Sequence, residues 1–138
     1  MDRWQNVTLN LLRIVTGLLF MQHGAQKLLG ALGGNAVESI FSLMGLAGVL
    51  EFFGGAMIVL GLLTRPVAFI LAGEMAAAYF MAHFPQGFFP VQNRGEPAAL
   101  FCFIFLYLSA RGAGGFSIDG VLSRRSAQAE ATEPVAAD

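Results

Sequence analysis

Four apolar segments alternate with polar, glycine-rich or proline-bearing breaks along this chain. The segments cover residues 7–29, 44–63, 66–82 or 66–84, and 98–110. A hydrocarbon core about 30 Å thick takes roughly 20 helical residues to cross, and only the fourth segment is clearly short of that length. The pattern therefore predicts an all-α protein, a polytopic membrane four-helix bundle.

The breaks between the segments set the predicted domain limits. Thr64, Arg65 and Pro66 end the second segment, with proline placed to open the next helix. Three prolines in residues 83–97 exclude a continuous helix there. Residues 1–122 are predicted to form one four-helix transmembrane domain. Residues 123–138 lack apolar periodicity and are predicted to be a disordered cytoplasmic tail.

Composition agrees with a lipid environment. Of 138 residues, 56% are hydrophobic and 12% are charged, whereas soluble domains have about 25% charged residues. The lipid bilayer is thus the expected partner. The net charge of −1 and the lack of a basic patch argue against nucleic acid. The single cysteine, Cys102, excludes an internal disulfide and a cysteine-based metal site. The first segment lacks a clear cleavage signal, so we expect a retained span.

The distribution of basic residues predicts the orientation. One side of the membrane would hold Arg3, Arg65, Arg111, Arg124 and Arg125, and the other only Lys27 and Arg94. Cytoplasmic loops carry the excess of lysine and arginine. Both termini are therefore predicted to be cytoplasmic.

Ionisable residues interrupt the first three apolar segments. They are Arg13, His23, Lys27, Glu51, Glu74 and His83. A charge at the bilayer centre costs on the order of 2.5–3.5 kcal/mol even on mild scales, so such residues usually face the bundle interior and mark functional sites. We take these six as candidate site residues.

Glu51 is the most informative of the six. Its helical neighbours are small (Ala47, Gly48, Gly54 and Gly55), and small residues line close contacts between membrane helices. His23 and Lys27 should lie at a similar depth on the first helix. The sequence predicts a cluster of Glu51 with His23 and Lys27, which is either a functional site or a buried ion pair that fixes helix register.

For the remaining candidates, Arg13, Glu74 and His83, we favour structural roles. Arg13 and Glu74 lie at matching depths and are predicted to pair. His83 lies on the opposite helical face from Glu74 and is expected at the interface.

The loop after the third segment has two interpretations. Phe88 and Phe89 are either interfacial anchors, which we favour, or part of a re-entrant lid. In the lid, Asn93, Arg94 and Glu96 would be the polar lining.

The candidate chemistry is limited. Two histidines near helix ends could in principle hold haem, but their faces do not clearly converge, and haem is not expected. No metal site is predicted. A chain of carboxylates and histidine suits a proton relay or a quinone headgroup pocket. The cofactor is left open, with quinone as the candidate.

Several segments resemble one bacterial family. LLRIVTGLLFMQHGAQKLLG, LAGVLEFFGGAMIVLGLLTRPVA, AGEMAAAYFMAHFPQGFFPVQNRGEPAALFCFIFLYL and GGFSIDGVL together look like the DoxX family. The resemblance covers roughly residues 10–122. It carries over as motif positions Arg13, His23, Gly24, Lys27, Glu51, Gly54, Gly55, Arg65, Glu74, His83, Pro85, Gly87, Phe88, Phe89, Pro90, Asn93, Gly95 and Glu96.

The resemblance implies a four-helix protein of the bacterial inner membrane. The family is named for a subunit associated with thiosulfate:quinone oxidoreduction, which implies an accessory subunit of a membrane redox system with a protein partner. The alternative is a non-catalytic assembly or small-solute transport protein whose charged residues are structural. Without a soluble domain or nucleotide motif, the chain is not expected to be catalytic alone.

Overall fold

The computed structural model describes residues 2–132, and all regular secondary structure in that range is helical. Residues 2–132 form six helices: α1 (Arg3–Leu29), α2 (Leu43–Leu60), α3 (Thr64–Gln86), α4 (Pro90–Asn93), α5 (Glu96–Arg111) and α6 (Ile118–Thr132). A π-helical turn lies within α2 at Leu50–Gly54. Another π-helical turn lies in α3 at Tyr79–His83, followed by a final 3₁₀ turn at Phe84–Gln86. The all-α prediction is confirmed.

Local capping explains where the first two helices begin and end. Asp2 and Gln5 form a capping box at the start of α1, and Gly30 ends that helix in the left-handed conformation. Ser42 caps α2 through the backbone N–H of Gly45. Gly61, with φ of 65°, ends α2 and allows the sharp turn into α3.

The helix limits differ from the predicted segments in identifiable ways. Helix α1 begins four residues before residue 7, because the polar Asp2 cap and not the apolar pattern sets its start. Helix α3 continues through Pro85, since the π and 3₁₀ turns accommodate the proline near its end. The predicted break occurs later, at Gly87.

The helices pack mainly as two pairs. Helix α1 lies antiparallel to α2, and the absence of side chains at Gly17 and Gly24 lets the two backbones meet. Helix α3 has its most extensive packing against α5. The buried core joins the pairs through large side chains: Phe20, Ile58, Leu71, Phe105 and Leu108.

Two ends of the molecule follow from this arrangement. At one end, which we call the arginine end, α1 begins, α2 ends, α3 begins, α5 ends and α6 follows. Hydrogen bonds from Arg13 to carbonyl oxygens of Val59 and Ala113 join α1 to the end of α2 and to the segment that follows α5. The opposite end, which we call the loop end, carries residues 30–42 and 87–95.

Two of the described helices, Leu43–Leu60 and Thr64–Gln86, are long and apolar enough to cross a membrane. Helix α1 has the length, but Asn10, Arg13 and His23 lower its hydropathy. Helix α5 has 16 residues, about 24 Å at 1.5 Å per residue. The outer faces of both carry exposed apolar side chains, including Val15, Leu18 and Phe103.

The predicted disordered tail is wrong for residues 123–132. These residues continue α6, which begins at Ile118. Asp119 fixes the start of this helix by accepting hydrogen bonds from Leu63 and Thr64, a long-range contact that local composition does not reveal. Residues 133–138 lie outside the described part of the chain.

Candidate functional site

The facing surfaces of α2 and α3 bring two glutamates toward each other. Gly54 packs on Leu71: a Cβ at Gly54 would lie 2.8 Å from Leu71 Cδ2. The two helices run antiparallel. One turn from this contact toward the loop end, α2 carries Glu51 and α3 carries Glu74, so the two glutamates lie at the same level. Glu74 is accordingly within electrostatic range of Glu51.

A lysine from α1 completes this group. Lys27 Nζ forms an ion pair and hydrogen bond with Glu51 Oε1. Its side chain shares a helical face with Gly24, three residues earlier, which packs directly against the α2 backbone at Phe52. The predicted contact between Glu51 and Lys27 is confirmed. We call Lys27, Glu51 and Glu74 the polar cluster.

The polar cluster holds more acceptors than donors. Within the described residues, Glu51 Oε2 and both carboxylate oxygens of Glu74 are buried without a hydrogen-bond partner. Glu51 itself is 3% exposed. One ammonium thus faces two carboxyl groups, and with both ionised the group would carry one uncompensated negative charge. Such burial is costly unless a proton or another cation is taken up.

A π-helical turn positions the central carboxylate. Glu51 lies in the second position of the Leu50–Gly54 turn, between the α-helical parts of α2. An extra residue in a helical turn locally changes side-chain direction, and π turns are frequent at functional sites.

His23 is not part of the polar cluster, contrary to the prediction. Its depth matches Glu51, but Gly24 takes the position that faces α2, so His23 is rotated by about 100° toward α5. There its ring meets Phe101 edge-on, with centroids 6.2 Å apart. The His23 side chain is exposed.

Arg13 does not pair with Glu74, and that prediction is wrong. The guanidinium, 1% exposed, donates instead to backbone oxygens of Ile58, Val59, Ala113 and Phe116 and to Asn10 Oδ1. Arginine's planar array of donors suits the carbonyls at a helix C-terminus. Arg13 therefore serves as a structural clamp at the arginine end.

Asp119 and Arg65 complete this clamp. Asp119 accepts hydrogen bonds of 2.8 Å from the backbone N–H groups of Leu63 and Thr64, and so caps α3. Arg65 donates to Ala110 O at 2.7 Å, near the end of α5. Sequence reasoning missed the role of Asp119, although the GFSIDG segment, polar and glycine-flanked after an apolar helix, was the available signal.

His83 and Asn93 organise the loop end. His83 Nδ1 lies 3.0 Å from Asn93 O. Asn93, 1% exposed, donates to Gly87 O and accepts from the Gly95 N–H. His83 thus supports the loop. Because its side chain is only partly exposed, it is not simply a side chain at the membrane interface.

The exposed residues of this loop fit the anchor interpretation. Phe88 and Phe89 are 69% and 57% exposed. Arg94 and Glu96 are exposed as well and do not line a buried site. Of the predicted polar lining, only Asn93 is buried, and its hydrogen bonds are used within the loop.

The helical fold, the apolar outer surface and the buried charges together define a membrane protein. A family model described as DoxX matches residues 8–84, and the chain belongs to the DoxX family. A protein of Haemophilus influenzae described as uncharacterized is 40% identical over 126 residues, covering 86% of this chain and 93% of the relative.

Two further relatives have membrane descriptions. Inner membrane protein YqjF of Escherichia coli K12 is 29% identical, with 91% of this chain and 99% of the relative covered. The uncharacterized membrane protein Rv3486 of Mycobacterium tuberculosis is 32% identical, with 83% and 81% covered. No solved structure shows significant similarity.

Proposed function

We propose that this protein is an accessory subunit of a quinone-linked redox system in the bacterial inner membrane. In this proposal the polar cluster exchanges protons on behalf of a redox partner. The family resemblance motivates the redox setting, and the chemistry of Lys27, Glu51 and Glu74 motivates the proton role.

The observation that carries the proposal is the set of three buried carboxylate oxygens that have no hydrogen-bond partner in the part of the chain that the structure describes. A purely structural ion pair between α1 and α2 needs only Lys27 and Glu51. Glu74 adds a second carboxyl group at the same level, and both of its oxygens are buried without a hydrogen-bond partner among the described residues. Two carboxyl groups beside one ammonium can take up and release a proton with small movements of side chains.

The packing of the helices restricts where a quinone could bind. Between α1 and α2, Gly24 lies against the Phe52 backbone, which leaves no room for a ring. A proton needs no such space. The exposed His23, edge-on to Phe101, offers a headgroup contact from the lipid side. Quinone reduction takes two electrons and two protons. The electrons would come from the redox partner.

The proposal includes four membrane spans with both termini in the cytoplasm. Exposed apolar side chains on α1 and α5, such as Leu18 and Phe103, support spans by these two helices beside α2 and α3. The arginine end, with Arg65 and Arg111, would be cytoplasmic under the positive-inside rule.

Conservative substitutions test the proton role. Glu51→Gln and Glu74→Gln keep the side-chain shape and remove the titrating carboxyl group. We expect both variants to accumulate normally but to lower quinone-dependent respiration of native membranes several-fold. Glu38→Gln, at an exposed loop position, is the matched control and should leave respiration unchanged.

A second candidate function is supported by the Lys27–Glu51 ion pair, which joins α1 to α2. In that case the charges fix helix packing in an assembly or transport protein. Loss of function would then follow loss of protein in every variant. If protein level and respiration decline together in Glu51→Gln and Glu74→Gln, the proton-exchange proposal is wrong.

A further inference from the structure

A groove at the arginine end combines an apolar wall with two arginines. It has a volume of about 550 Å³ and lies between the end of α2 and the first turns of α6. Leu60, Phe116 and Val121 form its apolar wall, and Arg124 and Arg125 lie at its rim. The three apolar side chains are 53%, 69% and 41% exposed, respectively.

Along one face of α6, the apolar residues come first and a basic residue follows. Ile118, Val121, Leu122 and Arg125 recur at spacings of three and four residues and therefore lie on the same side. After Leu122, no large apolar residue occurs in the described part of α6, and the two arginines follow after Ser123. Short interfacial helices have this arrangement of an apolar face with basic residues.

Side-chain and backbone contacts fix the groove in place. The Asp119 N–H donates to Gly61 O at 2.9 Å, which ties α6 to the end of α2. Arg124 donates to Gly115 O at 3.3 Å, which holds its guanidinium beside the groove. Arg124 is therefore held close to the apolar wall, and Arg125 lines the same groove.

The groove is continuous with the membrane-facing surface. Leu60 is the last residue of the candidate span Leu43–Leu60, so with this helix in a membrane it would lie near the boundary between hydrocarbon and headgroups. An occupant must be apolar where it meets Leu60 and anionic where it meets Arg124 and Arg125. Arginine binds phosphate oxygens in paired hydrogen bonds.

We propose that this groove binds an anionic phospholipid of the adjacent leaflet. The lipid phosphate is held by Arg124 and Arg125, and the glycerol and upper acyl region lie on Leu60, Phe116 and Val121. The site is distinct from the polar cluster, and it depends on membrane residence but not on a redox role.

Native mass spectrometry of the full-length protein in mild detergent tests the site. Phosphatidylglycerol and phosphatidylcholine with identical acyl chains are added at equal concentration. We expect wild-type protein to retain phosphatidylglycerol preferentially. An arginine near an anionic surface contributes about 1 kcal/mol, so the double variant Arg124→Gln/Arg125→Gln should lose the preference by roughly 10- to 30-fold.

Two further variants separate charge from apolar contact. Arg3→Gln/Arg94→Gln removes the same charge at exposed positions elsewhere and should keep the preference. Val121→Ser, also at an exposed position, should weaken retention of both lipids. Unchanged melting temperatures establish that each variant remains folded.

Several outcomes would overturn the proposal. One is equal retention of the two lipids by the wild type, and another is equal loss in the two double-arginine variants. Complete displacement of phosphatidylglycerol by excess inorganic phosphate would indicate a free-anion site and not a lipid site. Retention that survives phosphate but falls in Val121→Ser supports the lipid.

Discussion

Lys27 is the side chain on which the electrostatics of the polar cluster depend. It is the cation paired with Glu51, and it also lies within electrostatic range of Glu74. The lysine side chain is 24% exposed, whereas Glu51 is almost fully covered. Lys27 is therefore the point at which this buried group of charges approaches solvent or lipid headgroups.

Replacing Lys27 with methionine should destabilise the protein by about 3 kcal/mol. Methionine keeps much of the length, but Glu51 loses its partner, and an uncompensated buried charge typically costs about 3–5 kcal/mol. The measurement is chemical unfolding in detergent micelles. Lys27→Arg, which retains the charge, should be much milder.

The double variant Lys27→Met/Glu51→Gln provides the internal check. Because it removes both members of the ion pair, it should recover a large part of the lost stability. Arg94→Met, at an exposed cation, controls for the loss of positive charge. Equal destabilisation of the single and double variants would contradict the importance of the pair.

At the scale of the helices, glycine determines how closely α1 and α2 approach. Gly24 and Gly73 both lie inside helices, but their surroundings differ. A Cβ at Gly24 would lie 2.7 Å from Phe52 Cα and 2.8 Å from Gly48 O. At Gly73, nothing lies within 4 Å of the corresponding position.

Alanine should have opposite effects at these two glycines. Gly24→Ala would force the α1 and α2 backbones apart, with a cost of about 1–3 kcal/mol typical of overpacking. Gly73→Ala should be neutral or stabilising by about 0.5–1 kcal/mol, because alanine favours the helix and meets no neighbour. Melting temperatures of the two variants in the same detergent make the comparison. A destabilised Gly73→Ala or an unaffected Gly24→Ala would contradict it.

The four long apolar helices and their order were predictable from sequence, whereas helix α6 and most side-chain partners were not. The apolar segments and the breaks between them placed the four long helices, and their matching depth in the membrane predicted the contact of Lys27 with Glu51. Depth alone does not reveal that Gly24 faces α2, so that His23 points toward Phe101. Nor could it reveal that Arg13 would bind carbonyl oxygens of four distant residues, because helix C-termini offer acceptors that no sequence pattern displays.

For the whole molecule, the two ends differ sharply in charge. Arg65 and Arg111 lie at the arginine end with α6, whereas the loop end carries Arg94 and, close by, Lys27. This asymmetry predicts the membrane orientation, since lysine and arginine favour the cytoplasmic side.

Reporter fusions can determine this orientation. Fusions at Arg65 and Ser126 should report a cytoplasmic location, and fusions at Asn35 and Asn93 a periplasmic one. Asn35, Arg65 and Asn93 lie in or next to a turn or helix end, Ser126 lies at an exposed position of α6, and all four are away from the polar cluster. A cytoplasmic signal at Asn35 or Asn93 would contradict the four-span topology.

The capping of α3 by Asp119 has a consequence for biosynthesis. The N–H groups of Leu63 and Thr64 receive their partner from a residue more than fifty positions later in the chain, and Arg13 receives carbonyl partners from Ala113 and Phe116. During translation, these late residues are added only after the four long helices have been made. A nascent or prematurely terminated chain therefore has an uncapped α3 and an arginine that lacks two of its carbonyl partners. The arginine end is therefore completed only when the last part of the described chain has been made.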